Sequence, residues 1–279
     1  MLSYQHGFHA GNFADVHKHA IQVLLLEALN RKPKPWSYLE THGGAAFYDL
    51  TDPQAQKTGE YQWGIEKLWL ATSVPKALTG YLDQIKSVNP DGQLQHYPGS
   101  PLIAAQMARE SDKLAIMELH PAEYERVKQT FKRDAQVAVH HRDGYEGVLS
   151  LMPPKPNRGL VLIDPSYEVK SEYQQTAKYL KKIHALWPNG TFAIWYPILK
   201  AGQHKEMLAE IKRSGIRNIF VSELYVQGSD TERMFGSGML LINPPWQLDQ
   251  TVNATMPWLK QVLAKNGAAE PRSEWLVPE

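Results

Sequence analysis

An aspartate, a proline and a tyrosine directly follow a run of apolar residues in the middle of the chain. The run Gly159–Ile163 has the character of a buried strand and leads into Asp164-Pro165-Ser166-Tyr167. The carboxylate of Asp164 and the carbonyl of Pro165 can each accept one hydrogen of an amino group. The N6 nitrogen of adenine is a poor nucleophile because its lone pair is delocalised into the ring. Two such acceptors help to draw that pair out of conjugation as a methyl group arrives.

The same motif offers a way to hold the base. Proline fixes φ and so helps to aim the carbonyl of Pro165. Tyr167 can stack on a base that has been taken out of its helix, as base-modifying enzymes require. Asp-Pro-x-Tyr also occurs by chance, so the motif needs the right structural context. On this basis Asp164, Pro165 and Tyr167 are the predicted catalytic residues of methyl transfer to an adenine.

Polar and small residues end the neighbouring candidate strands. Ligands of doubly wound sheets bind outside the carboxyl ends of the strands. The first strand runs into the glycine turn Gly43-Gly44-Ala45-Ala46, the second ends at Glu118, and the third is followed by Asp143-Gly144. Each of these three segments also has an explanation without a ligand. The glycine turn can be an ordinary tight turn, Glu118 a solvated acid, and Asp143-Gly144 a common turn pair. Their succession at consecutive strand ends favours a nucleotide-like ligand.

Short apolar runs alternate with longer amphipathic stretches, which is typical of parallel strands joined by helices. The pattern predicts an α/β fold with a seven-stranded, mostly parallel sheet, in which the last two strands form a hairpin across 226–237. The predicted strands are Trp36–Glu40, Lys113–Glu118, Gln136–His140, Gly159–Asp164, Thr191–Tyr196, Ile219–Leu224 and Met239–Asn243. The predicted helices are Ala14–Asn30, Pro101–Arg109, Pro121–Arg133, Tyr145–Leu151, Ser171–Leu186 and Gln203–Ser214.

One connection is too long for a single helix. More than seventy residues separate the first and second predicted strands. The stretch from about residue 50 to 97 is therefore predicted to be a small helical insertion, with helices at Tyr61–Leu70 and Val74–Lys86. The pattern does not divide the chain further, so residues 1–279 are expected to form a single domain.

The amino-acid composition limits the functions that the protein can have. The chain has 30 basic and 29 acidic residues, so a strongly basic surface does not identify a nucleic-acid partner. There is no cysteine, which excludes disulfides, thiolate metal sites and a cysteine nucleophile. Neither a signal peptide nor an apolar run long enough to span a membrane is apparent, so a cytoplasmic protein is expected. Basic clusters at 31–34, 128–133 and 178–182 fit solvated helix faces.

Five of the eleven histidines lie within the first 42 residues: His6, His9, His17, His19 and His42. No pair has the i, i+4 spacing of a helical zinc motif, and no acid completes a familiar ligand set. Methyl transfer from a sulfonium releases a neutral thioether, so no developing anion needs a Lewis acid. We therefore expect hydrogen-bonding histidines in the wall of a site, and no metal.

Ordered motifs along nearly the whole chain resemble the bacterial 23S rRNA adenine-N6 methyltransferases of the RlmJ type. They are Leu2-Ser3-Tyr4, His9-Ala10-Gly11-Asn12, Ala14-Asp15-Val16-His17-Lys18-His19, Thr41-His42, Tyr97-Pro98-Gly99-Ser100-Pro101, Glu118-Leu119-His120-Pro121 and the Asp164 motif. The sequence departs from the family pattern twice. Asp-Pro-Ser-Tyr replaces the usual Asp-Pro-Pro-Tyr, and the glycine turn is usually closer to Ala-Gly-Ala-Gly.

The resemblance implies a Rossmann-like class I methyltransferase that uses S-adenosyl-L-methionine to methylate a specific adenine of 23S rRNA. It implies a monomer without an obligate protein partner, a membrane or a metal. Tyr4 and Lys18 would contact the RNA, and Asp164 would be the acceptor in catalysis. The implied cofactor contacts are His19, His42, Ser100, Glu118, Asp143, Gly144 and Asp164.

Other functions remain open on the sequence. An adenine-N6 DNA methyltransferase would use the same Asp-Pro-x-Tyr chemistry. A non-catalytic nucleic-acid-binding protein could keep the same fold, and the departures at Ser166 and Ala46 motivate that alternative. A metal-dependent hydrolase built on the N-terminal histidines is the third. The identity of the target adenine does not follow from the residues.

Overall fold

A mixed sheet of eight strands forms the centre of the protein, in a computed structural model that describes residues 5–279. In chain order these strands are β1 (Ser37–Glu40), β4 (Lys113–Glu118), β5 (Val137–His141), β6 (Gly159–Ile163), β7 (Thr191–Ile198), β8 (Ile219–Tyr225), β9 (Gly236–Ile242) and β10 (Arg272–Val277). The order across the sheet is β10-β8-β9-β7-β6-β1-β4-β5. Five neighbouring strands are parallel, and β9 and β10 run in the opposite direction.

This arrangement confirms a Rossmann-like class I methyltransferase fold and corrects one detail. All seven predicted strands are present, and β8 and β9 form the expected antiparallel hairpin. The predicted strand count was wrong, because β10 pairs with β8 and adds an eighth strand at the edge. Its residues do not alternate between buried and exposed, so β10 has no strand pattern that stands out in the sequence. A C-terminal helix was also missed, and it contains Pro257, which usually interrupts a helix.

Ten α-helices surround the sheet in the described part of the chain. A polar side chain starts the first of them, since Asn12 Oδ1 accepts hydrogen bonds from the backbone N–H groups of Ala14 and Asp15. The helices are α1 (Phe13–Asn30), α2 (Pro53–Thr58), α3 (Ile65–Trp69), α4 (Thr79–Ser87), α5 (Ser100–Met107), α6 (Pro121–Thr130), α7 (Gly144–Ser150), α8 (Glu172–Leu186), α9 (Gln203–Lys212) and α10 (Leu248–Leu263). Helices therefore connect the parallel strands, as the alternation predicted.

The long connection between β1 and β4 begins and ends in a small antiparallel ribbon of β2 (Phe47–Asp49) and β3 (His96–Pro98). Between these strands lie α2, α3 and α4. The predicted helix at 61–70 is interrupted at Gly64, which separates a 3-10 turn at Glu60–Trp63 from α3. A side chain at Gly64 would collide with the backbone oxygen of Gly11, so only glycine permits this approach to the start of α1.

Helix α1 is buried along almost its whole length, and polar groups attach it to the sheet. His17 Nδ1 lies 3.0 Å from Ser237 Oγ, and His17 Nε2 lies 3.1 Å from Ser222 Oγ. The two serines belong to β9 and β8. A fully buried imidazole thus joins the helix to the hairpin. Among residues 5–279, no helix is both long and apolar enough to cross a bilayer.

Replacing His17 with glutamine tests whether the folded protein keeps this imidazole neutral. Burial lowers the pKa of His17 from 6.5 to about 3. The unfolded chain therefore gains a proton below about pH 6.5 that the folded protein does not, and stability is lost as pH falls through this window. In His17→Gln, the loss of unfolding free energy between pH 6.5 and 5 should be smaller by up to about 1.4 kcal/mol per pH unit. Urea unfolding at several pH values measures it, and an unchanged slope would contradict a neutral histidine.

Candidate active site

A cavity of about 420 Å³ opens where the parallel strands end. This is the edge at which doubly wound sheets bind ligands. Loops after β1, β4, β5 and β6 contribute to its wall, together with the start of α1 and the end of β7. The structure thus brings together residues that lie far apart in the sequence. The predicted site residues that line it are Lys18, His19, His42, Ser100, Glu118, Asp143, Gly144, Asp164, Pro165 and Tyr167. Tyr4 lies outside the described residues.

A buried ion pair holds the carboxylate after β6. Lys18 Nζ lies 2.5 Å from Asp164 Oδ2 and 3.0 Å from Asp15 Oδ1. The side chains of Lys18 and Asp164 are 5% and 13% exposed. Burial alone would lower the pKa of Lys18, but the carboxylates of Asp164 and Asp15 raise it above its usual value. Lys18 therefore remains a cation, and its position suits a group inside the cavity more than an external phosphate.

The second carboxylate of this cluster, Asp15, fixes the beginning of α1. Its Oδ2 accepts a hydrogen bond from the backbone N–H of Gly11 at 2.9 Å and lies 2.8 Å from His6 Nε2. Burial opposes its charge, yet His6 and Lys18 keep the pKa of Asp15 well below its usual value. Of the five N-terminal histidines expected in the wall of a site, His6, His9, His19 and His42 line the cavity, whereas His17 does not and bonds Ser222 and Ser237 instead. The sequence pattern did not identify Asp15, because its role depends on Lys18 meeting the loop after β6.

The glycines of the turn and two acids form another part of the cavity lining. Glu118 accepts hydrogen bonds from the backbone N–H groups of Gly44 at 2.7 Å and His120 at 2.6 Å. Asp143 Oδ1 accepts one from the N–H of Glu146 at 2.9 Å and so caps α7. The acids at consecutive strand ends therefore lie on one wall, as their spacing predicted. Ala46 is buried and does not belong to the residues that line the cavity.

Two predicted contact residues lie deep and have internal partners. His19 Nδ1 is 2.6 Å from the hydroxyl of Tyr97, and His42 Nδ1 is 2.7 Å from Thr41 Oγ1. Burial lowers the pKa of His19 to about 3 and that of His42 to about 4, so both rings are neutral at pH 7. Within residues 5–279, no three histidine, aspartate or glutamate side chains are placed to hold a metal ion.

Ser100 is linked to an acid that the sequence pattern did not single out. Its hydroxyl donates to Glu40 Oε1, and the hydroxyl of Tyr38 donates to Glu40 Oε2 at 2.8 Å. Burial raises the pKa of Glu40 to about 8. An acid at the end of a strand usually indicates solvent exposure, so its burial behind the cavity wall was not foreseen.

The aromatic side of the cavity differs from the simplest expectation for Tyr167. This side chain is only 6% exposed, and its hydroxyl donates to the backbone oxygen of Trp195 at 2.9 Å. Stacking on its ring would require the ring to turn further into the cavity. Trp195 is the more accessible aromatic group, and its Nε1 donates to Ser237 Oγ at 3.0 Å. Lys18 Nζ lies 5.8 Å from the centre of the Trp195 ring.

Comparison with known proteins identifies the family. Residues 33–277 match the family model described as "Ribosomal RNA large subunit methyltransferase D, RlmJ". The chain is 43% identical over 280 aligned residues to "Ribosomal RNA large subunit methyltransferase J" of Escherichia coli (strain K12), and each chain is covered completely. The chain belongs to the RlmJ family.

Another relative and a solved structure agree with that assignment. The protein of the same name from Haemophilus influenzae is 42% identical over 281 aligned residues, again with complete coverage of both chains. The crystal structure of protein LPL1258 from Legionella pneumophila has a TM-score of 0.89 and 34% identity, and covers 96% of this chain and 98% of that one. The family, the fold and the expectation of an rRNA methyltransferase are thereby confirmed.

Glu40→Gln tests the buried acid behind the RlmJ-family cavity. Because burial raises the pKa of Glu40 from 4.5 to about 8, the wild type should lose stability as pH rises through that range. The variant has no such titration. Its melting temperature relative to wild type should therefore increase by roughly 5 °C or more between pH 5 and 8.5, at about 2–4 °C per kcal/mol.

Calorimetry at fixed ionic strength provides the measurement for Glu40→Gln. The surface variant Glu110→Gln serves as the matched control, because Glu110 is exposed. A difference between Glu40→Gln and wild type that stays constant, or that shrinks toward high pH, would show that Glu40 is already ionised near pH 5.

Proposed function

We propose that this RlmJ-family protein transfers the methyl group of S-adenosyl-L-methionine directly to N6 of an adenine in 23S rRNA. The observation that carries the proposal is the placement of Asp164 and Pro165 at the end of β6, in the wall of the cavity. Its relatives are named as methyltransferases of the large-subunit ribosomal RNA. That name favours rRNA over duplex DNA as the substrate and catalysis over simple binding.

The part of the lining that contains Gly44, Glu118 and Asp143 fits the cofactor. Gly44 lines the cavity, and because it has no side chain its backbone borders the cavity directly. Glycine is required there, since a side chain would collide with the hydroxyl of Tyr48 and the φ of Gly44 is +58°. The carboxylate of Glu118 lies beside this turn and suits ribose hydroxyls. Asp143 and Gly144 would take the adenine end, with His42 and Ser100 as further contacts. When bound, S-adenosyl-L-methionine supplies an electrophilic methyl group.

The chain's own role in the reaction is to position and polarise the amine. A carboxylate has lone pairs on both oxygens, so Asp164 can bond Lys18 through Oδ2 while Oδ1 accepts an N6 hydrogen. The carbonyl of Pro165 accepts the second hydrogen. Holding the two reactants in attack geometry accounts for much of the acceleration. Lys18 keeps a positive charge next to Asp164 Oδ2 and so fixes the position of this carboxylate in a largely buried site.

Two aromatic side chains can hold the base. Trp195 presents its indole to the cavity and is oriented by Ser237, which in turn contacts His17. Tyr167 is buried, and its ring can stack on a base only if its hydroxyl stops donating to the backbone oxygen of Trp195. We therefore assign first contact with the adenine to Trp195, and retain Tyr167 as a residue that can turn to the base. Tyr4 and Lys18 remain the proposed RNA contacts, and Lys18 would meet the nucleotide inside the cavity and not a phosphate outside it.

Asp164→Ala should abolish methyl transfer, because neither the charge nor the acceptor remains. We expect kcat to fall by about a thousandfold or more, while S-adenosyl-L-methionine binding is weakened but measurable. Asp164→Asn keeps one acceptor oxygen and should fall between wild type and alanine. Transfer of a radiolabelled methyl group to naked 23S rRNA measures activity, with duplex DNA in parallel. Full activity of Asp164→Ala, or labelling of DNA alone, would overturn the proposal.

Gly144→Ala should weaken cofactor binding by about tenfold or more. The added methyl group would collide with the backbone oxygen of Thr41 and push the start of α7 away from β1. Gly147→Ala is the matched control on the same helix, since its methyl group would meet Met117 Sδ, which can move. Isothermal titration with S-adenosyl-L-methionine measures both. Equal affinities of the two variants for S-adenosyl-L-methionine would show that the start of α7 does not belong to the cofactor site.

A further inference from the structure

Two lysines from distant parts of the chain converge on one exposed tryptophan. Trp63 is 55% exposed and ends the 3-10 turn in the connection between β1 and β4. Lys67 Nζ and Lys265 Nζ each lie 5.1 Å from the centre of its ring. Lys67 belongs to α3, and Lys265 follows α10. We call Trp63, Lys67 and Lys265 the tryptophan–lysine surface.

The positive charge of this surface is not neutralised within the described chain. Among residues 5–279, neither Lys67 nor Lys265 forms an ion pair with a carboxylate. Partial burial and then the charge of Lys265 lower the pKa of Lys67. Two ammonium groups held close together repel each other, and an anion between them would remove that repulsion. The surface therefore favours a negatively charged partner.

Two short chains of contacts connect this surface with the rim of the cavity. On one side, Glu60 Oε2 lies 3.0 Å from both His9 Nδ1 and Asn12 Nδ2, which belong to residues that line the cavity. On the other side, the backbone N–H of Lys265 donates to the oxygen of Val226 at 2.7 Å. Val226 begins the loop whose Met234 also lines the cavity. Glu60, in the same 3-10 turn as Trp63, and Lys265 itself therefore link the tryptophan–lysine surface to two parts of the chain that line the cavity.

From these contacts we infer that the tryptophan–lysine surface binds the RNA strand next to the target nucleotide. The inference rests on the proposed function and extends it to the rest of the substrate. An unpaired base can displace a lysine from over the indole of Trp63 and stack there, since every base has a π face, while the ammonium groups of Lys67 and Lys265 move to the phosphates on either side. An apolar protein partner would instead bury two uncompensated ammonium groups, at a large cost in desolvation.

Binding of an in vitro transcript of 23S rRNA at several salt concentrations tests this surface. For Lys67→Gln/Lys265→Gln we expect about a tenfold weaker Kd at low salt. The slope of log Kd against log salt should also decrease by about 1.4, which is about 0.7 for each single-strand phosphate that a lysine no longer neutralises. For Trp63→Ala we expect a loss of about tenfold that varies little with salt. The affinity for S-adenosyl-L-methionine should not change in any of the variants.

The matched control is Lys128→Gln on α6. Lys128 Nζ lies 5.2 Å from the ring centre of Tyr124, a similar geometry, but Lys128 also pairs with Glu125 at 3.9 Å. Its RNA affinity and salt slope should equal those of wild type. Since the double lysine variant keeps the Trp63 ring, its melting temperature shows whether folding is intact, and it decides the inference if Trp63→Ala does not fold.

The outcomes separate this inference from the proposed function. If wild type binds the transcript but does not methylate it, the proposed function fails, and the tryptophan–lysine surface is still supported by weaker binding of its variants. If wild type methylates the transcript and the double lysine variant matches it in Kd and salt slope, the surface is refuted and the function stands. Absence of RNA binding by wild type, or an equal loss in Lys128→Gln, also overturns the inference.

Discussion

A lysine enclosed by two carboxylates connects the first helix with the loop that follows β6. Asp15 and Lys18 come from one turn of α1, and Asp164 comes from the centre of the sheet. Removing one partner of such a buried pair leaves an uncompensated charge, which costs far more than the net contribution of the intact pair. The position of α1, the placement of the Asp164 carboxylate and the shape of the cavity are therefore coupled. A change in any one of the three charges would affect both folding and the site.

The residue before Lys18 on α1, His17, points in a different direction and contacts only side chains of the sheet. His17 contacts serines of β8 and β9, and one of these serines also orients Trp195. Consecutive residues of a helix point in different directions, about 100° apart, so His17 can attach the helix to the sheet while Lys18 reaches the cavity. The aromatic wall and the ion pair thus depend on the same turn. This arrangement explains why so polar a helix is buried so completely.

The sequence predicted the elements well and the long-range contacts poorly. The strands, and the acids Glu118, Asp143 and Asp164 that follow them, could be placed because the carboxyl ends of parallel strands share one edge. The burial of Glu40, the turned-in ring of Tyr167 and the convergence of Lys67 with Lys265 could not. Each depends on which distant segments meet, and that information is spread over the whole chain. The missed β10 has the same cause, since an edge strand with a weak pattern is defined by its partner.

The reversed direction of β9 has a consequence for how this enzyme family can diversify. Because β8 ends and β9 begins at the edge of the sheet where the cavity opens, residues 226–235 join them at this edge, and Met234 lines the cavity. That connection can lengthen, shorten or change composition without altering the register of any strand, as loops on a rigid scaffold generally can. Under the proposed function, selectivity for the surroundings of the target nucleotide can therefore change in this loop without altering the residues proposed for methyl transfer at the end of β6.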